Sequence, residues 1–137
     1  MKTDDDSYVR VNALEHALLK DRPDFWGKVH RKIAPIRNPK HKWFVPEHAW
    51  SGVYPDYCSG SGYVLSSKAV TCYTKIVAKH KFFVMEDVST GALMRRCDFH
   101  PLHTSMVDSG GTFGENTSWI VKHYVKNHSE LHMNGAK

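Results

Sequence analysis

Three consecutive carboxylates near the start of the chain are the first residues whose spacing suits chemistry. Asp4, Asp5 and Asp6 lie at the edge of a short apolar segment that begins at Tyr8. Carboxylate oxygens are the ligands that hard cations such as Mn²⁺ and Mg²⁺ prefer, and these ions commonly keep one or two protein carboxylates. Acidic trios are more often solvated charge, so the hypothesis of a cation site depends on the residues that follow.

A second acidic group, Glu86-Asp87, follows the apolar residues 82–85 and precedes the apolar residues 92–94. This pattern predicts a helix whose first turn contains both carboxylates, where the helix dipole favours their ionised form. An aspartate, with a reference pKa of about 3.9, is then charged at neutral pH and able to accept a proton as a general base. The alternative is that the acidic pair merely caps a helix.

Between the two acidic groups lies a segment rich in aromatic residues and glycines. Sugar rings have flat C–H faces that stack on aromatic side chains, and four candidates occur here: Trp43, Trp50, Tyr54 and Tyr57. Gly60 and Gly62 leave room for the backbone to approach a ligand closely. Ordinary packing in the core or in a loop is the alternative for the aromatic residues, and we prefer it for Trp43 and for Tyr63.

Helices and strands are expected to alternate along the chain and to position these residues. A strand ends at residues 9–11, and Asn12 with Glu15 resembles a capping box that starts a helix carrying three leucines: Leu14, Leu18 and Leu19. Residues 21–24 end this helix. The acidic trio therefore precedes a strand-to-helix turn, where ligands gather in α/β folds.

The rest of the chain predicts further elements of both kinds. Strands are expected at residues 25–29, 43–45, 63–65, 99–104 and 118–125, with a loop at residues 31–42. Ser66 or Ser67 caps a helix that runs to about Lys79, and its buried face is expected to comprise Val70, Tyr73, Ile76 and Val77.

His123 belongs to the last of the predicted strands. Alternation along a strand places its side chain on the same face as Val121 and Val125, which indicates that it points inward. An inward histidine needs a polar partner or a metal ion, and both possibilities remain open at this point.

Composition limits the class of protein. The 137 residues are 41% hydrophobic and 24% charged, which is typical of one globular domain, and no run of 18 apolar residues or signal-peptide layout occurs. We therefore expect a soluble chain. The net charge of +5 is dispersed, which disfavours nucleic-acid binding but suits an anionic diphosphate. The three cysteines, Cys58, Cys72 and Cys97, lack the spacing of a zinc site, and their pairing stays open.

The order and spacing of four motifs resemble one enzyme family. These are Lys2–Val9, Tyr54–Ser66, the block around Met85–Val88, and Trp119–Val125. They resemble the beta-1,3-galactosyltransferase (Fringe-like) group of inverting glycosyltransferases. The resemblance implies an α/β fold, a GT-A-type mixed sheet flanked by helices, which lacks the N-terminal nucleotide-binding strands. Residues 1–126 would be the C-terminal part of the catalytic domain, and residues 127–137 a polar tail.

The resemblance also implies roles for particular residues. Asp87 would be the general base, with Glu86 beside it in the catalytic motif. Asp6 would ligate the metal, Asp4 would lie nearer the ribose and the ion's water, and His123 would complete the metal site. Asp5 would belong to the donor-binding motif but point away from the ion. Five further residues are expected beside donor or acceptor: Gly60, Gly62, Trp50, Tyr54 and Tyr57.

The activity implied by the resemblance is transfer of a sugar from a UDP-sugar donor to a glycan hydroxyl in beta-1,3 linkage with inversion. Galactose is the first choice of sugar, with UDP-GlcNAc or UDP-GalNAc as alternative donors, and the cofactor would be Mn²⁺ or Mg²⁺. The acceptor would be a glycan on a glycoprotein, proteoglycan or glycolipid. The whole enzyme would sit on the lumenal side of the Golgi membrane, held by an anchor outside this chain. The rival hypothesis is a truncated, non-catalytic fragment or carbohydrate-binding remnant, because a nucleotide-binding half is missing.

Overall fold

The computed structural model describes residues 1–80, 83, 85–108, 110 and 118–125. Helices and strands follow in this order: β1 (Lys2–Thr3), β2 (Tyr8–Val9), α1 (Val11–Asp21), β3 (Phe25–His30), β4 (Tyr57–Leu65), α2 (Ser67–Val77), α3 (Glu86–Arg96), β5 (Leu102–His103) and β6 (Val121–Lys122). The predicted tail, residues 127–137, lies outside the described residues, as does part of the apolar segment before Glu86.

Two sheets organise the described residues. The larger has the strand order β1-β4-β3-β5, with β4 antiparallel to both neighbours and β5 parallel to β3. The smaller pairs β2 with β6 in antiparallel register, Tyr8 opposite Lys122 and Val9 opposite Val121. Together with three helices, this mixed sheet confirms the predicted α/β fold class.

Strand β4 is the centre of the molecule and is longer than predicted. It spans nine residues, because β1 and β3 pair with it on either side, so Gly60 and Gly62 belong to a strand rather than to a loop. A Cβ added to Gly62 would lie 3.1 Å from a methyl carbon of Val121. Glycine is therefore used here for the close approach of the two sheets.

Helix α1 starts differently from the prediction. The capping box at Asn12 is wrong, because the helix begins at Val11 and no side chain caps it. The entry is held instead by Arg10, whose N–H donates to the Ile120 carbonyl oxygen at 2.9 Å. The helix ends at Asp21 as predicted, with Arg22 in the left-handed conformation.

Other local predictions meet mixed outcomes. The cap at Ser66 is confirmed, since its hydroxyl accepts from the Ala69 N–H at 3.2 Å. Val70 is 44% exposed, and Ala69 is the buried residue of that helix. The strand predicted at residues 43–45 is wrong, because only a single bridge joins Phe44 to Ile36. The two late strands are reduced to the two-residue β5 and β6.

Helix α3 packs directly on β4. A Cβ added to Gly91 would come within 2.5 Å of the Tyr57 Cβ, so the absence of a side chain lets helix and strand meet. Buried Val88 and Met94 occupy the same interface. A disulfide between Cys72 and Cys97 joins α2 to the residue that follows α3, and Cys58 is buried and free. The disulfide thus fixes the C-terminal end of α3 to α2, whereas Gly91 and Val88 bring the preceding turns of α3 against the central strand.

Within the described part of the chain, no helix combines the length and the apolar character that crossing a membrane requires.

Candidate active site

A cleft of about 510 Å³ opens where β1, β4 and the start of α3 meet the segment after β3. One end is acidic and the other is aromatic and apolar. The lining residues that matter below are Lys2, Asp4, Trp43, Tyr54, Tyr57, Gly60, Glu86, Asp87 and His123. The two acidic groups of the sequence, which are 80 residues apart, therefore face a common space.

The acidic end contains a cluster that could hold a metal ion. One ligand atom from each of Asp4, Asp6 and His123 lies within 4.8 Å of the others. The His123 Nε2 is 3.0 Å from the Asp6 Oδ1 and 3.3 Å from the Asp4 Oδ2. Two carboxylates and an imidazole form a donor set suited to a divalent cation, and their separations leave room for one ion.

The small sheet explains why His123 reaches the acidic trio. Pairing of β2 with β6 places His123 beside the turn that precedes β2, and the Val125 N–H donates to the Asp6 carbonyl oxygen at 2.9 Å. The His123 side chain is only 11% exposed, and its ring stacks on Tyr124. The inward orientation predicted from strand alternation is therefore found.

One atom of the cluster supports a bound cation. Asp6 Oδ1 is buried and makes no hydrogen bond with the described residues. The His123 Nδ1 is also buried without such a bond, but the ring nitrogen that faces the carboxylates is Nε2. A buried carboxylate oxygen is costly unless a cation or a donor balances it. Asp5, by contrast, is exposed, in keeping with the expectation that the middle carboxylate points away. The residues present therefore fit a divalent ion.

Asp87 lies across the cleft in the first turn of α3. Its Oδ2 accepts from the Gly60 N–H at 3.2 Å and its Oδ1 from the Val88 N–H at 2.8 Å. Burial raises the pKa of this carboxyl, and the two N–H donors limit the rise. The result is a carboxylate that is more basic than an exposed aspartate and fixed in orientation.

Glu86 is an anchored neighbour of the base. Its Oε1 accepts hydrogen bonds from the Tyr63 hydroxyl and, at 3.0 Å, from the Thr90 hydroxyl. Its Oε2 lies 3.3 Å from the Lys2 ammonium. These contacts engage both oxygens of Glu86, which connects the first turn of α3 to β4 and β1.

Gly60 lies between Asp87 and the group of Asp4, Asp6 and His123, the cation cluster. A Cβ built on it would be 3.6 Å from an Asp87 oxygen and 3.8 Å from an Asp4 oxygen, within the space that both carboxylates face. A Cβ would fit at these contact distances, so the expectation that Gly60 keeps room for a ligand stays a prediction. Gly62 contacts Val121 and is not among the residues lining the cleft.

The aromatic end of the cleft differs in part from the prediction. Tyr54 and Tyr57 line it, whereas Trp50 packs against Tyr54 outside the lining. Trp43, expected to be an ordinary anchor, is 47% exposed and lines the cleft. Tyr63 is buried, as expected.

Lys2 is the cleft residue that sequence reasoning missed. Its ammonium donates to the Asp4 Oδ1 at 2.6 Å and to the Gly60 carbonyl oxygen at 2.7 Å. Burial lowers its pKa, but the nearby carboxylates of Asp4 and Glu86 outweigh burial, so the pKa is raised overall. The signal was available, because residues two apart on an extended strand share a face.

Comparison with known proteins bears on this site directly. A family described as "Galactosyltransferase" matches residues 1–105, which include both acidic motifs and the glycine-containing strand. The chain belongs to the galactosyltransferase family. The resemblance derived from the four motifs is therefore confirmed at the level of the family.

Individual relatives of the galactosyltransferase family support this assignment. Beta-1,3-galactosyltransferase 5 of Mus musculus is 37% identical over 111 residues, covering 76% of this chain and 36% of the relative. Beta-1,3-galactosyltransferase 4 of Rattus norvegicus is 30% identical over 135 residues, covering 75% and 36%. Beta-1,3-galactosyltransferase 1 of Homo sapiens is 33% identical over 111 residues, covering 77% and 34%. The chain thus spans about a third of the length of these relatives.

Proposed function

We propose that this chain carries the catalytic centre of a metal-dependent hexosyltransferase that moves galactose from a UDP-sugar to a glycan hydroxyl. The observation that carries the proposal is the cleft itself, where the cluster of Asp4, Asp6 and His123 faces the base Asp87. Family membership supports the reaction class, and the names of the relatives support galactose and the beta-1,3 linkage.

The acidic end would receive the donor diphosphate. A Mn²⁺ or Mg²⁺ ion held by Asp6 and His123, with Asp4 on the ribose side, would offset the charge that develops on the diphosphate leaving group. Without such an ion, carboxylates would repel a diphosphate. The half-exposed side chains of Asp4 and Asp6 would form the solvent side of this cation site, and the buried side chain of His123 would form its inner side.

Asp87 would accept the proton of the attacking acceptor hydroxyl. Its Oδ2 and Oδ1 are fixed by the Gly60 and Val88 N–H groups, so the carboxylate is oriented before a ligand arrives. General-base catalysis of this kind contributes roughly 10²–10⁴ in rate. One displacement, with the hydroxyl and the diphosphate on opposite faces of the sugar, inverts the anomeric configuration.

The aromatic end would hold the acceptor. Trp43, which is 47% exposed in the cleft, would stack on the sugar, while the buried rings of Tyr54 and Tyr57 line the cleft wall and Trp50 packs against Tyr54. We propose a glycan acceptor on a glycoprotein, proteoglycan or glycolipid, and a Golgi location for the whole enzyme. UDP-GlcNAc and UDP-GalNAc remain the alternative donors.

Calorimetric titration of the chain with Mn²⁺ and UDP, followed by a coupled UDP-release assay with donor and acceptor, tests the proposal. We expect UDP binding that requires Mn²⁺ and is lost with EDTA. UDP binding that is indifferent to Mn²⁺ would overturn the assignment of the cation cluster. Binding of a free glycan without UDP binding would favour the rival carbohydrate-binding remnant.

A further inference from the structure

We propose that Lys2 is a positioning residue that holds the cation-binding carboxylate of Asp4 and the base Asp87 in register with one another. The inference rests on the proposed function for what those two carboxylates do. The Lys2 ammonium lies between the two carboxylates and contacts three different segments of the chain.

The ammonium of Lys2 contacts the segment after β1, strand β4 and helix α3 at once. It is 2.6 Å from the Asp4 Oδ1, 2.7 Å from the Gly60 carbonyl oxygen and 3.3 Å from the Glu86 Oε2. An ammonium has three N–H donors and no acceptor, so these three oxygens account for its full donor capacity. Strand pairing places it there, because Lys2 lies opposite Tyr63 in the β1–β4 register.

On the cation side, Lys2 binds one oxygen of the Asp4 carboxylate and leaves the other free for the metal site. Oδ1 accepts from Lys2, and Oδ2 faces the His123 Nε2 at 3.3 Å. The contact fixes the rotation of the carboxylate, so that one particular oxygen is presented to the metal site. Groups that orient a ligand in this way contribute to metal affinity without touching the ion.

On the base side, Lys2 acts through Gly60. The Gly60 carbonyl accepts from Lys2, and its N–H donates to the Asp87 Oδ2 at 3.2 Å. Fixing the carbonyl therefore steadies the backbone group that orients the base. The contact with Glu86 restrains the same helical turn from its exposed side. The Lys2 ammonium thus connects the carboxylates of Asp4 and Asp87 to β4.

The test compares Lys2→Met, Lys2→Arg and the matched surface variant Lys68→Met in the full chain. Lys68 is exposed in the first turn of α2, and its variant removes the same charge. Two readouts are used: Mn²⁺ affinity from the EPR signal of the free ion, and hydrogen exchange of the Gly60 amide relative to other β4 amides by NMR.

Lys2→Met should weaken Mn²⁺ binding roughly tenfold and accelerate Gly60 exchange selectively, whereas Lys68→Met should change neither. A role of charge alone makes the opposite prediction, because removing a positive charge beside carboxylates would tighten Mn²⁺ binding. Lys2→Arg keeps the charge, but its planar fork does not match three diverging acceptors, so it should restore neither readout fully.

The proposal is overturned by unchanged or tighter Mn²⁺ binding in Lys2→Met, by full recovery in Lys2→Arg, or by unchanged Gly60 exchange. If Lys2→Met does not fold, the Lys2→Arg comparison decides. If the wild-type chain binds no Mn²⁺, the proposed function loses its cation site, and Gly60 exchange by itself still decides whether Lys2 positions β4.

Discussion

The two sides of the cleft are built in different ways. On the base side, Asp87 is held by two backbone N–H groups and by a helix packed on the central strand. On the cation side, Asp4 and Asp6 are about 40% exposed, come from a turn, and meet His123, which directly follows a two-residue strand. The first arrangement is complete without a ligand, whereas the second contains buried polar atoms without a hydrogen bond among the described residues.

This difference separates two kinds of functional group. A general base must have a defined direction before the acceptor arrives, and backbone hydrogen bonds supply that direction at little entropic cost. A cation site is completed by the ion and the donor phosphates, so its protein ligands need only be near one another. Variants on the two sides should therefore fail in different steps of the reaction.

The largest expected effect comes from Asp87→Asn on turnover. The change removes the base and little volume, so in a full-length enzyme we expect turnover to fall by about 10²–10⁴-fold. Calorimetry should show nearly unchanged affinity for Mn²⁺ and UDP. A fall in Mn²⁺ and UDP affinity as large as that of Asp6→Asn would mean that the two sides are not separate.

The residues of this contrast also differ in whether the sequence could predict them. Asp87 and its helix were predictable, because an acidic pair before an apolar run is a local signal. The Gly60 contact was not, because it depends on the pairing of β4 with strands far away in the chain. The inward position of His123 was predicted from strand alternation, although β6 ends one residue before it, at Lys122.

The misses have a common physical cause. Asn12 resembles a helix cap, but the hydrogen bond of the Arg10 N–H to the Ile120 carbonyl oxygen accompanies a cap two residues earlier, at Arg10. Trp43 is a large aromatic residue of the kind that usually packs in a core. The strand expected around it does not form, and its ring lines the cleft instead. In both cases long-range packing overrode a local pattern.

The second prediction concerns the disulfide at the far end of the helix that carries Asp87. The disulfide closes a loop between residues 25 apart, so replacing both Cys72 and Cys97 by serine should lower the free energy of unfolding by about 3 kcal/mol. Urea denaturation monitored by circular dichroism measures the loss, and the wild type in reducing agent is the control. Under native conditions Mn²⁺ affinity should stay within about twofold, since the bond does not join the elements of the cation cluster. A parallel loss of Mn²⁺ affinity would contradict the independence of the two sides.

Asp6→Asn should have the next largest effect, on the cation side. The substitution removes a negative ligand, and we expect Mn²⁺ affinity to fall roughly 10–100-fold, with UDP affinity falling alongside it. Asp5→Asn is the matched control, because it makes the same chemical change at an exposed neighbour. EPR titration of Mn²⁺ distinguishes the two. Equal effects of both variants would indicate attraction by the acidic segment as a whole rather than a defined site.

The smallest effect is expected at the aromatic end, which belongs to neither side. Trp43 is 47% exposed in the cleft, so Trp43→Ala should leave folding and Mn²⁺ affinity nearly unchanged while removing a stacking surface for the acceptor. A loss of about 1–1.5 kcal/mol corresponds to a roughly tenfold rise in acceptor KM at constant kcat. Trp50→Ala provides the contrast, because that ring packs against Tyr54 and Phe83, and its loss should appear first as lower thermal stability. If Trp43→Ala instead lowers kcat with no change in KM, the ring acts on the base side, and the acceptor must bind elsewhere in the cleft.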